Sequence, residues 1–181
     1  MNVDVQPNSE FHRDFTNGKQ KMKAVVSTHG FSANRFGHAN TCIELASQGC
    51  IVYALDHKDE TCMCTLDDER NFITTDFKSF FGPDKISIFW DSVENTRIPE
   101  IKSLIDQMQI DSKNDPIDMK KLIVFGQSLG GWTAIEAARS DPRIQFIVAQ
   151  DPVLYCKKTE VDWGDYLINQ PFIMIHTGYY D

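Results

Sequence analysis

Five short apolar runs punctuate the chain: AVVSTHG (24–30), CIVYALD (50–56), LIVFGQ (122–127), IQFIVAQD (144–151) and PFIMIHT (171–177). Each is rich in Val, Ile and Phe and lacks the polar alternation of a half-solvated strand, so each predicts a parallel strand buried on both faces. Between them the spacing changes to that of helices. HANTCIELASQG (38–49) sets Cys42, Ile43, Leu45 and Ala46 on a short helix that Gly49 closes. Ile98, Ile101, Leu104, Ile105 and Met108 recur at helical intervals, with Pro99 suited to a first turn. WTAIEAAR, from Trp132 to Arg139, is good helix as well. Strands alternating with helices predict one α/β domain: a mostly parallel sheet of about five strands with helices on both faces. Two stretches do not follow the pattern. Residues 1–22 form a polar N-terminal segment, and residues 57–97 are an irregular excursion in which Phe72, Phe77, Phe80, Phe81, Phe89 and Trp90 interrupt polar, acidic sequence. These aromatics either pack the excursion onto the body or line an acyl pocket.

The chemistry enters where one strand meets one helix. KLIVFGQSLGG places Ser128 between Gly126 and Gly130, directly after an apolar run and directly before a helix, as in the G-x-S-x-G nucleophile elbow. The glycines remove side chains from a sharp turn. The amide of Leu129 then stands at a helix N-terminus, where it can donate to an oxyanion while Ser128 attacks. THGFSA (28–33) ends the first strand in an HG turn, which supplies the second oxyanion amide, that of Phe31. IQFIVAQD delivers Asp151 to the C-terminal edge of the sheet, where open α/β sheets keep their sites. Asp181, the last residue given, is a competing acid.

Three groups of residues carry a family resemblance: HG-x-x-A-x-R (His29, Gly30, Ala33, Arg35), LAS-x-G (Leu45 to Gly49) and D-H-K-D (Asp56 to Asp59). With IDMKKLIVFGQSLGG and IVAQDPVLY, the chain from about residue 24 resembles the platelet-activating factor acetylhydrolases of the secreted and type II intracellular kind. The resemblance implies an α/β-hydrolase core and a calcium-independent phospholipase A2 that removes acetyl, short or oxidised acyl groups from the sn-2 position of glycerophospholipids. It implies Ser128 as nucleophile, Asp151 as acid, the Phe31 and Leu129 amides as oxyanion hole, and no cofactor. The sequence departs from the family at Gln127, where His is usual, and at Ser32, where Gly is usual. The family's histidine lies farther beyond the acid than Asp181, so no residue matches it. The strands that precede the HG strand in the family, and its last strand and helix, have no counterpart either. The resemblance therefore implies a partial domain, short at both ends, with little turnover of its own. His12, His29, His38, His57 and His176 read as structural or surface residues, with His38 and His57 nearest the active face. Rival readings are a hydrolase-like binding module without catalysis and a general carboxylesterase or dienelactone-hydrolase-like enzyme using Asp181.

Charge and cysteines narrow the partners. A net charge of −8 without a Lys/Arg cluster argues against nucleic acid and fits a small soluble substrate or a neutral lipid surface better, while the resemblance implies a phospholipid substrate, met at a membrane or lipid-particle surface. Cys42, Cys50, Cys62, Cys64 and Cys156 lack metal-site or disulfide-framework spacing, and Cys62 and Cys64 are too close for a usual zinc knuckle, so no metal is expected. Free thiols and a polar N-terminus with no signal-like apolar run suggest a cytoplasmic setting.

Overall fold

The computed structural model describes residues 10–18, 20–154 and 164–178. In chain order the elements are α1 (Arg13–Thr16), β1 (Met22–Thr28), α2 (Ala39–Ser47), β2 (Cys50–Ala54), β3 (Cys64–Leu66), β4 (Phe72–Thr74), α3 (Phe77–Phe80) and α4 (Lys85–Ser92). A π-helical turn (Val93–Arg97) leads into α5 (Ile98–Asp111), followed by β5 (Ile117–Gln127), α6 (Leu129–Ser140), β6 (Phe146–Gln150) and β7 (Phe172–Ile175). Five strands form one parallel sheet in the order β2-β1-β5-β6-β7. The chain first runs from β1 outward to β2 and then crosses back to β5 on the other side of β1. The C-terminal ends of β1 and β5 therefore meet at the topological switch point, where such sheets hold ligands.

All five expected strands are present, but two are less buried than expected. β2 is half-buried throughout, and Phe172, Ile173 and Ile175 of β7 are 46–50% exposed. Both are edge strands, with a ladder partner on one side only. β5 also begins earlier than the apolar run, at the buried Ile117. Exposed Lys120 and Lys121 interrupt its pattern where the register against β1 shifts, between the Lys23–Asp118 and Val25–Ile123 pairs.

The core lies between the sheet and the helices that cover β5 and β6. Ile101, Ile105 and Met108 of α5 are fully buried, as are Trp132 and Ile135 of α6, against Leu122, Val124 and Ile147 of the strands. Pro99 sits in the first turn of α5, and Gly49 takes φ +83° just past α2, as the sequence pattern requires. The 57–97 stretch is more ordered than its composition suggests: an antiparallel β3–β4 pair is followed by α3, α4 and the π-helical turn. Among the described residues no helix is long and apolar enough to cross a membrane.

Candidate active site

β5 ends at Gln127 and α6 begins at Leu129, leaving Ser128 as the whole connection, with φ 55° and ψ −120°. A non-glycine residue in that region costs of order 1–3 kcal/mol, so surrounding contacts must hold it. Its N–H donates to Gln150 O (2.8 Å), and its carbonyl accepts from Trp132 N (3.1 Å) and Val153 N (3.3 Å). The flanking glycines are steric necessities. A Cβ on Gly126 would lie 2.1 Å from Gly130 O, and one on Gly130 would lie 2.2 Å from Thr28 O.

The HG turn after β1 packs directly on this elbow. A Cβ on Gly30 would meet Gln127 Oε1 at 2.8 Å and Ser128 Cβ at 3.3 Å, so only glycine lets the turn approach. Among the described residues the Phe31 and Leu129 amides meet no acceptor, leaving two donors beside the serine. Ser32 has φ 54°, which explains why glycine suits that position better. Its N–H is tied to Thr61 O at 2.7 Å. Asp151, buried at the end of β6, accepts from Thr177 N–H at Oδ1 (2.7 Å) and from Thr177 Oγ1 at Oδ2 (3.0 Å). Gln150, its chain neighbour, holds the Ser128 amide, so both candidates share one edge. Asp181 and Cys156 lie outside the described residues.

A cavity of about 270 Å³ opens on Ser128, lined by Phe31, Phe80, Phe81, Phe89, Leu129, Val153 and Lys85. The Phe31 ring makes edge contacts with Phe77, Phe81 and Phe89 (5.5–5.6 Å) and a tilted one with Phe80 (5.1 Å). The excursion's aromatics thus divide in purpose. Phe80, Phe81 and Phe89 wall the cavity, Trp90 stacks on buried Trp132 at 5.5 Å, and Phe72 is 77% exposed.

Beneath the HG turn lies a buried polar cluster that sequence reasoning missed. Arg97 is fully buried; it pairs with Asp59 (Nε to Oδ2, 2.6 Å) and donates to His29 O (2.7 Å) and Thr61 Oγ1. Ser92 also donates to Asp59. His57 bonds Thr28 Oγ1 through Nε2 (2.7 Å) and Glu100 through Nδ1 (2.6 Å). His29 donates through Nδ1 to Gly30 O (2.7 Å) and accepts the His57 N–H at Nε2 (3.2 Å). Asp56 accepts the Arg35 N–H (2.6 Å) and pairs with its guanidinium (3.2 Å). The HG-x-x-A-x-R and D-H-K-D groups are therefore one hydrogen-bonded assembly. A buried Asp59 demands a counter-cation, and that demand was the available signal for Arg97.

None of the five histidines bonds Ser128. His29 and His57 have both ring nitrogens engaged, His12 bonds Asp14, and His176 is exposed beyond β7. His38 packs edge-on to Phe125 at 5.1 Å, with its Nε2 buried and unpartnered. His29, Asp56 and Cys62 place ligand-type atoms within 4.8 Å of one another. That group fits a metal poorly, because both His29 ring nitrogens are already hydrogen-bonded, Asp56 already accepts a hydrogen bond, and burial pushes the Cys62 thiol up to about 11.

Burial and the Arg97 guanidinium lower His29 to about 3 and hold His57 well below its ordinary value. Burial raises Glu100 to about 7. The unfolded chain binds protons at both histidines below about pH 6.5 while the folded chain does not, so stability falls as pH drops from there. Glu100 acts in the opposite sense, losing stability as pH rises from about 4.5 to 7, but two histidines oppose one carboxylate. Urea midpoints are expected to fall from pH 6.5 to pH 4, and Glu100→Gln is expected to steepen that fall. A flat profile would show that the histidines are solvated.

Relatives and solved structures place the chain in a family and a fold. The family model for platelet-activating factor acetylhydrolase, isoform II, matches residues 1–103 and 91–181. The chain is 27% identical over 157 residues to the platelet-activating factor acetylhydrolase of Canis lupus familiaris, covering 73% of this chain and 35% of that protein. It is 24% identical over 189 residues to that of Cavia porcellus, covering 89% and 41%. The chain thus spans well under half the length of these relatives. In fold it is similar to a ferulic acid esterase from Streptomyces cinnamoneus (TM-score 0.65, 16% identity, 86% of this chain and 51% of that one). It is also similar to esterase PE8 (TM-score 0.54, 16% identity, 87% and 69%). Matched along its whole length by the family model, with the elbow and the HG turn packed together, the chain belongs to the platelet-activating factor acetylhydrolase family, isoform II.

Proposed function

We propose that the Ser128 site performs acyl transfer from the sn-2 ester of a glycerophospholipid carrying an acetyl or short acyl group. The observation that carries this is Ser128 itself, held at positive φ beside two amides that have no acceptor among the described residues and facing a phenylalanine-walled cavity. Ser128 Oγ adds to the ester carbonyl carbon as a base removes its proton. The carbonyl oxygen becomes an oxyanion that the Phe31 and Leu129 amides stabilise. The C–O bond to the glycerol breaks, the alcohol takes the proton, and the acyl group remains on Ser128 until water repeats the sequence. The acid that would orient the base is Asp151, a reading supported by its position at the end of β6 and by Thr177, which fixes its carboxylate. The family's acetylhydrolase activity and the apolar cavity support a phospholipid, met as a monomer or at a lipid surface. No step draws on a metal ion, so a chelator should leave the rate unchanged.

A second reading, a binding module with little turnover, is favoured by the distance of all five histidines from hydrogen-bonding range of Ser128. Hydrolysis of matched sn-2 acetyl and palmitoyl phospholipids tests the substrate class. The acetyl ester is expected to react at least about tenfold faster, because the Phe80, Phe81 and Phe89 rings limit the cavity and misfit costs about 1–3 kcal/mol. Equal or faster reaction of the palmitoyl ester would overturn the short-acyl assignment.

A further inference from the structure

Lys85 opens α4 on the wall of the cavity that holds Ser128. Its placement serves neither helix nor core. A cation in the first turn of a helix opposes the macrodipole, so α4 gains nothing from it. The side chain is exposed, and among the described residues it has no carboxylate partner. Apart from Ser128, the other residues lining the cavity are apolar, which makes Lys85 the only charged group there among the described residues. The chain as a whole carries −8, a charge that repels anions, yet Lys85, without a carboxylate partner among the described residues, lines the cavity that opens on Ser128.

We propose that Lys85 is a specificity-determining residue that receives an anionic oxygen of the ester substrate at the cavity mouth. An ammonium is a compact point charge on a flexible stem, so it accepts a phosphate or a carboxylate without demanding a planar, two-point fit. Two parts of an ester can present that oxygen: a phosphate on the alcohol side, or a carboxylate at the far end of the acyl side. Either bond is charge-assisted, and neither forms with an uncharged ester. The role rests on Ser128 being the acyl-transfer serine proposed above.

Three phosphonate probes that react covalently with serine separate the possibilities: one uncharged alkyl fluorophosphonate, one carrying a phosphate on its alkoxy group, and one carrying a terminal carboxylate on its alkyl chain. Second-order labelling rates of the 181-residue chain are compared with those of Lys85→Gln and Lys85→Glu. Lys85→Gln is expected to slow one anionic probe about three- to tenfold, the scale of a single partly exposed charged contact, and to leave the uncharged probe unchanged. Lys85→Glu is expected to slow the same probe further, and added salt to erase part of the wild-type advantage. The probe that responds identifies the side of the ester that Lys85 reads. An equal loss with all three probes, or no loss with either anionic one, would overturn the role of Lys85. Absence of labelling by every probe in the wild-type chain would instead overturn the serine assignment beneath it.

Discussion

Replacing Arg97 by Met is expected to cost about 3–5 kcal/mol of folding free energy, the penalty for stripping one partner from a buried ion pair. Arg97 is fully buried and the Asp59 side chain is 1% exposed, so the carboxylate left behind has no water to replace the guanidinium. Burial opposes ionisation of Asp59, and Arg97, with Ser92 and Thr61, is what holds its carboxyl far below the ordinary range. The same substitution removes the donors to His29 O and Thr61 Oγ1, which anchor the HG turn and the segment that binds Ser32. Urea denaturation measures the loss. A double variant, Asp59→Leu with Arg97→Met, should recover part of it, because an uncharged pair leaves no buried ion. A loss below about 1 kcal/mol for Arg97→Met, the scale of an exposed pair, would show that water reaches Asp59.

The second large effect concerns turnover. Short-chain ester hydrolysis by residues 1–181 is expected at the residual level of a triad lacking its base, about 10³–10⁴ over water. At that level the Phe31 and Leu129 amides and the cavity supply the acceleration. Added imidazole, a diffusible base, should raise the rate in proportion to its concentration, and Ser128→Ala should abolish both rates. Full turnover without imidazole would mean that a resident histidine moves onto Ser128. His38, with its unpartnered Nε2, is then the residue to replace, since His29 and His57 are locked at both nitrogens.

The elbow was legible because strand, serine, glycines and helix are contiguous, and each obeys a local rule at Gly126, Ser128 and Gly130. The sheet was legible for the same reason: its strands are short continuous apolar runs. Burial of the outer strands was not, because the run at Phe172–Ile175 resembles a central strand and only the topology shows that it has one neighbour. Arg97 and Thr177 escaped notice because their partners lie far along the chain, 38 residues away at Asp59 and 26 away at Asp151. Long-range polar pairing leaves no periodicity to read. The excursion was the least legible part, since β3, β4 and α3 are three or four residues each, too short to imprint a pattern.

Covalent labelling decides whether Ser128 is the reactive nucleophile of the site. The wild-type chain and Ser128→Ala are each incubated with an uncharged alkyl fluorophosphonate, and the modified residue is located by peptide mass spectrometry. One adduct on Ser128, absent from the Ser128→Ala chain, is the expected result. Equal labelling of the two chains, or an adduct on any other residue in place of Ser128, would show that Ser128 is not the nucleophile.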